Sequence, residues 1–228
     1  MAKGKIGIEW VEEYNDRWEN PANTQENAEG FYNTLNATRK FAHGNDNAHD
    51  RHFEQFGAGA PPSGQDTTHV EKVDMVYFAG HGTGEGFEFG VLEDDARAKP
   101  AELRWGHGRL KWVVLNACDV LLDNPGFSAI DRLGPAFTGL RYILGFPGLT
   151  SDEPDRGQIF AQYLNAGNTV REAWVKACQD TEQSFTDWAY LRADGNGVTT
   201  DQDTWLAHAS ASSKPNPPAM LHYLQGVV

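Results

Sequence analysis

Uninterrupted apolar runs predict the centre of a parallel sheet. Residues 73–80, 109–118 and 141–146 are three such runs, each of a length typical of a strand rather than a helix. Strands that are apolar on both faces are typical of parallel sheets covered by helices on each side. The connection between the first two runs is long enough for a crossover between parallel neighbours. We therefore predict an α/β protein with three layers, α/β/α, around a mostly parallel central sheet.

Amphipathic stretches and turn signals predict the remaining elements. The pattern predicts helices over residues 24–35, 128–137, 156–164 and 169–181, outer strands over 5–14 and 187–192, and a short accessory strand over 87–92. Residues 42–64 are rich in Asn, Asp, Gly and Pro and are predicted to be a loop with one helical turn. No linker divides the chain, which we interpret as one domain over residues 1–228. Its core spans about residues 5–192, and residues 193–228 are predicted to be a loop-rich extension.

Composition narrows the class of partner and the compartment. The formal net charge of −13 argues against a nucleic-acid backbone or an anionic membrane as the main partner. Apolar residues make up 39% of the chain, which is enough for a substantial core. No secretory signal follows Met1, and no run reaches membrane-spanning length. Because Cys118 and Cys178 are the only cysteines, we expect a cytoplasmic protein in which Cys118 is a free thiol.

Each of the two central apolar runs stops at a chemically reactive side chain. The first is followed by His81 and Gly82, and the second ends at Cys118. Functional groups of open parallel sheets lie beyond the carboxyl ends of the strands, so this imidazole and thiol can act as general base and nucleophile. The N–H groups of Gly82 and Cys118 could form an oxyanion hole, since glycine allows close approach. The alternative is that Cys118 is an inert buried cysteine and that His81–Gly82 is an ordinary turn. We expect Cys178, on its helix, to be an inert core residue.

Three histidines in the predicted loop are candidate metal ligands. His43, His49 and His52 lie with Asp46 and Asp50 in one segment. A zinc site there is an alternative, but the spacing matches no strong ligand motif. We therefore expect neither a metal nor another cofactor.

Two further polar stretches are predicted to be structural. The acidic residues after the His81 strand are expected to form a solvated loop, with the rim of a substrate groove as the alternative; they are Glu85, Glu88, Glu93, Asp94 and Asp95. Residues 194–197 resemble a calcium loop, but Val198 fills the next ligand position, and a tight turn is favoured.

The two strand endings resemble a known superfamily. An apolar strand ending in His–Gly and another ending in Asn–Ala–Cys resemble the caspase–gingipain–legumain superfamily of cysteine peptidases, including the bacterial caspase-like CHAT domains. Residues 6–177 also resemble a bacterial family of unknown function within that superfamily, which shares the runs VDMVYFAGHG, LKWVVLNAC and GLRYILGF. The resemblance implies a caspase-like fold with His81 as general base, Cys118 as nucleophile and Gly82 as an oxyanion contributor.

The resemblance also implies residues that contact substrate. Asn116 occupies a position where relatives have side chains that help form the pocket for the substrate residue preceding the scissile bond. The segment after the third central strand helps line that pocket in relatives, which nominates Phe146, Asp152 and Asp155, with a structural turn as the alternative. Asp119 is the last candidate for substrate contact. Several relatives have a small or glycine-containing loop at this position. An anion beside the thiol would raise the pKa of the thiol.

The sequence favours one function and leaves two alternatives. We expect a caspase-like cysteine peptidase, or a peptide-processing acyltransferase, that acts on a peptide or protein substrate through a Cys118 thioester. Asp119 and the neutral Asn116 favour a non-catalytic peptide-binding or interaction module on the same fold. A small-molecule amidase or cyclising enzyme would use the same dyad in a closed pocket.

Overall fold

A seven-stranded sheet forms the centre of the molecule. The computed structural model describes residues 3–15, 17–55, 64–91, 95–182, 186–206 and 214–228. The strands are β1 (Lys5–Trp10), β2 (Thr38–Gly44), β3 (Met75–Ala79), β4 (Gly82–Thr83), β5 (Gly86–Glu88), β6 (Arg97–Ala98), β7 (Trp112–Asn116), β8 (Tyr142–Gly145), β9 (Asp187–Asp194) and β10 (Met220–Val227). The main sheet has the order β10-β9-β8-β7-β3-β1-β2, and β4, β5 and β6 form a small antiparallel sheet.

The five strands from β2 to β8 in this order are mutually parallel. β1 pairs with β2 and β3, and β7 pairs with β3 and β8, all in the parallel sense. β9 and β10 continue the sheet in the antiparallel sense. The prediction of an α/β protein with a mostly parallel sheet is therefore confirmed.

Two hydrophobic cores lie on the two faces of the sheet. The helices are α1 (Thr24–Thr34), α2 (Ala129–Leu133), α3 (Arg156–Asn165) and α4 (Val170–Thr181). α1, α3 and α4 cover one face, where Tyr77 and Trp174 are fully buried. α2, the small sheet and several 3₁₀ turns cover the other face, where Phe78 and Trp105 are fully buried. No helix in the described part of the chain is long and apolar enough for a membrane crossing.

Both edge strands lie where the pattern gave no strand. β2 begins in Thr38–Arg39–Lys40, all exposed, and mainly Phe41 packs inward, against Gly7. β10 pairs with β9 along all eight of its residues, which corrects the loop-rich prediction for residues 220–227. Edge strands bury one side at most and carry polar residues, so neither shows a continuous apolar run.

The acidic stretch after β3 is only partly solvated. Glu88 is fully buried and pairs with Arg17 at 3.3 Å and with Arg97, which corrects the prediction for this residue. Glu85 and Asp95 are exposed. Glu93 and Asp94, like Leu92, residues 56–63 and residues 207–213, lie outside the described residues. The predicted tight turn at residues 194–197 is present, closed by backbone hydrogen bonds between Gly195 and Val198.

Candidate active site

β3 and β7 bring His81 and Cys118 to neighbouring strand ends. In the parallel pair, Ala79 is in register with Asn116. Just beyond, the N–H of Gly80 donates to the Asn116 carbonyl at 3.2 Å. His81 and Cys118 each follow this register pair by two positions, so both lie beyond the carboxyl edge of the sheet, where open parallel sheets carry their functional groups.

Gly82 lets the two strand ends approach closely. A Cβ added at this position would lie 2.6 Å from the carbonyl oxygen of Cys118, which no larger residue tolerates. Gly82 is paired with Phe87 of β5, and this pair is flanked by a 3.0 Å hydrogen bond from the Glu88 N–H to the His81 carbonyl. Gly82 and Phe87 are therefore a non-hydrogen-bonded pair, and β5 does not use the Gly82 N–H.

The loop after β1 orients the His81 imidazole. The ring centroid lies 4.7 Å from that of Tyr14 and 5.3 Å from that of Trp18. Nε2 lies 2.5 Å from the carbonyl oxygen of Glu19. Because a carbonyl can only accept, this contact requires a proton on Nε2, so the neutral form of the ring has its lone pair on Nδ1. Among the described residues, Nδ1 has no hydrogen-bond partner.

The loop after β8 holds the Cys118 sulfur. The N–H of Thr150 donates to Sγ at 3.4 Å, and Sγ lies 3.8 Å from the Thr150 carbonyl oxygen. Cys118 is partly exposed, and both cysteines are free, as predicted for Cys118. In the part of the chain that is described, no hydrogen bond joins Sγ to His81. In this state the imidazole and the thiol are each engaged by a local partner.

The surroundings of Cys118 favour the neutral thiol. Burial raises the pKa of the Cys118 thiol, and the negative charges of Asp119 and Glu182 raise it further. The hydrogen bond from Thr150 and the charge of Arg156 act in the opposite direction without reversing the shift. Since the unperturbed pKa is already above neutrality, the resting cysteine is protonated at pH 7.

Asp119 forms a tight turn directly after the cysteine. Its φ of 58° lies in the left-handed region, which asparagine, aspartate and glycine tolerate best. Its N–H donates to the carbonyl of Gly148 at 3.0 Å. The backbone therefore needs a residue of this kind, and Asp119 meets the conformational demand while adding a negative charge.

A buried ion pair supports the Thr150 loop. The side chains of Arg156 and Glu182 are both 0% exposed and form a salt bridge. Glu182 accepts hydrogen bonds from the hydroxyl groups of Thr150 and Ser151, the latter at 2.7 Å. Arg156 donates to Oδ1 of Asn116 at 2.5 Å. One polar network thus joins the end of β7, the start of α3 and the loop that contacts Cys118.

Two of the predicted substrate-contacting residues are buried. Asn116 is 5% exposed, and its side-chain oxygen is occupied by Arg156. Phe146 is fully buried, with its ring 5.3 Å from that of Trp174 and 4.9 Å from the Arg156 guanidinium carbon. Both residues lie beneath the strand ends, and their contact with a substrate stays a prediction.

The three predicted aspartates differ in their surroundings. Asp152 accepts hydrogen bonds from the N–H groups of Ala22 and Asn23, both at 2.8 Å, and so ties the loop after β1 to the loop after β8. Asp155 is exposed at the start of α3, and Asp119 is partly exposed next to Cys118. Their roles toward a substrate also stay predictions.

A pocket opens beside the loop that follows Cys118. It has a volume of about 400 Å³ and includes Gly148, the residue that accepts the Asp119 N–H. Asp123 and Asp187 line it as well, so two of its lining residues are acidic. The pocket is therefore suited to a cationic group.

The partners of the two reactive side chains are what the sequence did not reveal. Tyr14, Trp18 and Glu19 contact His81, and Thr150 contacts Cys118. None belongs to a motif, and one of the decisive groups is a main-chain carbonyl, which every residue has. The only available signal was a pair of aromatic residues, one at the end of the first predicted strand and one shortly after it, Tyr14 and Trp18.

Family membership follows from comparison of the whole chain. The model of DUF6345, a domain of unknown function, matches residues 8–226. The chain belongs to this family. The matched span begins within β1 and ends within β10, so it contains both His81 and Cys118. Comparison with curated proteins finds no match.

Proposed function

We propose that this DUF6345 protein is a cysteine peptidase-like enzyme of caspase-like fold, with His81 as general base and Cys118 as nucleophile. The observation that carries the proposal is the orientation of His81. The Glu19 carbonyl fixes the proton on Nε2, so the imidazole has a basic Nδ1 at the strand end next to that of Cys118. Activated nucleophiles are typically paired with a base that a third group orients, and the Glu19 carbonyl is such a group for His81.

The proposed reaction forms and breaks a thioester. Nδ1 of His81 accepts the thiol proton, and Sγ of Cys118 attacks the carbonyl carbon of a peptide bond. The imidazolium returns the proton to the leaving amine as the carbon–nitrogen bond breaks. Water, or a second amine, then attacks the thioester with His81 again acting as base, which yields hydrolysis or acyl transfer.

Backbone N–H groups support the proposed oxyanion site. The Cys118 N–H has no hydrogen-bond partner among the described residues, and β5 does not use the Gly82 N–H. A Cβ on Gly82 would lie 2.6 Å from the Cys118 carbonyl oxygen, so the backbones of these two residues pass close to each other. Loss of one such donor costs about 3–4 kcal/mol of transition-state stabilisation in enzymes where it has been measured.

Because the resting thiol is neutral, its proton transfers when the substrate is bound. Binding must displace Sγ from Thr150 and bring it toward Nδ1 of His81. The aspartate-lined pocket beside this loop supports a preference for a lysine or arginine side chain near the scissile bond. A reducing, cytoplasmic setting is part of the proposal and is supported by the two free cysteines.

A second candidate function is a peptide-binding module without turnover. The raised pKa of Cys118 and the Thr150 hydrogen bond favour it, because both reduce the reactivity of the thiol. In that case the protein would bind a peptide, and neither His81 nor Cys118 would be needed for chemistry.

Peptide turnover and site-specific alkylation distinguish these functions. A fluorogenic library with lysine, arginine, aspartate, asparagine and leucine before the reporter should be cleaved by the wild type, and best with a cationic residue. Cys118→Ala and His81→Gln should abolish cleavage, whereas His222→Gln at the sheet edge should retain it.

Alkylation by iodoacetamide, mapped by mass spectrometry across pH, provides the second measurement. Cys118 should react in the wild type, and its rate near neutral pH should fall in His81→Gln. Buried Cys178 serves as the internal unreactive control. If no peptide is cleaved and the Cys118 alkylation rate is the same in the wild type and in His81→Gln, the enzyme proposal is rejected and the binding module is favoured.

A further inference from the structure

Three histidines from separate segments meet beside the edge strand β2. One ring nitrogen from each of His43, His52 and His69 lies within 4.8 Å of one from each of the others. His43 lies in β2, His52 in the second 3₁₀ turn after β2 (Asp50–His52), and His69 further along the chain. In the sequence, His43 and His52 fall in one loop with His49, and the spacing predicts no metal site. His69 is not among these candidates, since nothing in the spacing connects it to the others.

A buried carboxylate lies behind these rings. Glu9 of β1 is in register with His43 and is 0% exposed. Its Oε1 lies 2.8 Å from Nδ1 of His52 and 3.5 Å from Nδ1 of His43, and its Oε2 accepts the His49 N–H at 3.2 Å. No lysine or arginine of the described residues pairs with Glu9. A buried carboxylate without a cationic partner is costly, and a divalent cation on the adjacent imidazoles would compensate its charge.

The hydrogen bonds leave imidazole nitrogens available to a metal. Nδ1 of His52 is bonded to Glu9, and Nδ1 of His69 lies 3.0 Å from the Thr68 hydroxyl and 3.3 Å from the Gln65 carbonyl. Nε2 is therefore the nitrogen that each of these two rings can offer. A carboxylate or carbonyl on the other nitrogen is how proteins orient histidines that bind metals.

The cluster is accessible and selective for one class of metal. His43 and His69 line a surface pocket of about 470 Å³ together with Lys5, Lys40 and Lys72. Neutral imidazoles bind zinc and similar transition ions, whereas magnesium and calcium need oxygen ligands. Three nitrogen ligands leave room for a further ligand from the pocket, and the lysines favour an anionic one.

We propose that His43, His52 and His69 bind one Zn²⁺ ion, with Glu9 as the carboxylate that orients His52. The site is separate from His81 and Cys118 and does not depend on the proposed function.

A second cluster contains Asp66, Glu71 and His107. It is weaker, because both Glu71 oxygens already accept backbone N–H groups from Gly106 and Gly108.

Titration of the chelator-treated full chain with ZnCl₂ tests the proposal. Isothermal calorimetry should give one equivalent bound, and Co²⁺ should produce the intense visible absorption of a four-coordinate site. Glu9→Gln should weaken Zn²⁺ binding by about 10–100-fold, as expected for a residue that orients a ligand. The double variant His43→Gln/His69→Gln should lose more than that.

Matched controls keep the result interpretable. His107→Gln, in the second cluster, and His222→Gln, at the sheet edge, should bind Zn²⁺ like the wild type. Circular dichroism and melting curves establish that each variant is folded, and Zn²⁺ should raise the melting temperature of the wild type but not of the double variant. The proposal is overturned if the folded wild type binds no Zn²⁺. It is equally overturned if His43→Gln/His69→Gln leaves binding intact, or if His107→Gln removes it.

Discussion

Neutralising Glu182 should strongly destabilise the protein. Glu182→Gln leaves the guanidinium of Arg156, which is 0% exposed, without its opposite charge. Breaking a buried ion pair in this way costs about 3–5 kcal/mol, because the remaining charge stays desolvated. The hydrogen bonds from Thr150 and Ser151 are weakened as well, since glutamine offers one acceptor oxygen where the carboxylate offers two.

Urea denaturation followed by tryptophan fluorescence measures this loss, and the chain contains 7 Trp residues. Exposed Glu26→Gln on α1 is the matched control and should change the free energy of unfolding by less than about 0.5 kcal/mol. The double variant Arg156→Met/Glu182→Gln should lose clearly less than the sum of the two single variants, because the second change removes the uncompensated charge. A loss below about 1 kcal/mol for Glu182→Gln, or strict additivity, would refute the role assigned to this pair.

Three further predictions follow from local features of the structure. Asp119→Asn keeps a residue that tolerates positive φ and removes an anion that raises the Cys118 pKa, so iodoacetamide should alkylate this cysteine faster at pH 7; an unchanged rate would contradict the electrostatic effect. Gly157→Ala should cost about 1–3 kcal/mol of stability, because its Cβ would lie 2.1 Å from a backbone oxygen of α1, whereas Gly148→Ala, with open space around it, should be neutral by the same denaturation assay. Burial raises the pKa of Asp66 to about 6, above that of the unfolded chain near 4, so the folded state binds this proton more tightly. Its stabilising contribution is present below pH 4 and is lost as the pH rises through 6. The melting temperature of Asp66→Asn should therefore decrease less between pH 4 and 6 than that of the wild type. An equal decrease in both proteins would contradict the assignment.

The parallel centre of the fold was predictable because its signal is local. β3, β7 and β8 lie within the three apolar runs, and a strand covered on both faces needs no partner to be recognised in sequence. α4 is similar, since a helix was predicted over residues 169–181, and the structure shows a capping box between Thr169 and Glu172 at its start. β2 and β10 were missed because an edge strand is defined by its neighbour: the polar residues of β2 form a strand only where β1 offers unpaired backbone groups.

The site divides along the same line. The neighbouring positions of His81 and Cys118 follow from two strand ends in one sheet, which the sequence shows directly. The hydrogen bond from Thr150 to Cys118 and the Arg156–Glu182 ion pair depend on loops and helices that meet only after folding. His69 joins His43 and His52 for the same reason, across a sequence separation that no spacing rule covers.

The protonated state of Cys118 has a consequence for the durability of the molecule. Peroxide oxidises the thiolate far faster than the thiol, and the first product, a sulfenic acid, leads on to irreversible acids. A cysteine that stays protonated and bonded to Thr150 is a slow target for this damage, although it is open to solvent. We therefore expect the same contacts that restrain its nucleophilicity to slow its oxidation by peroxide.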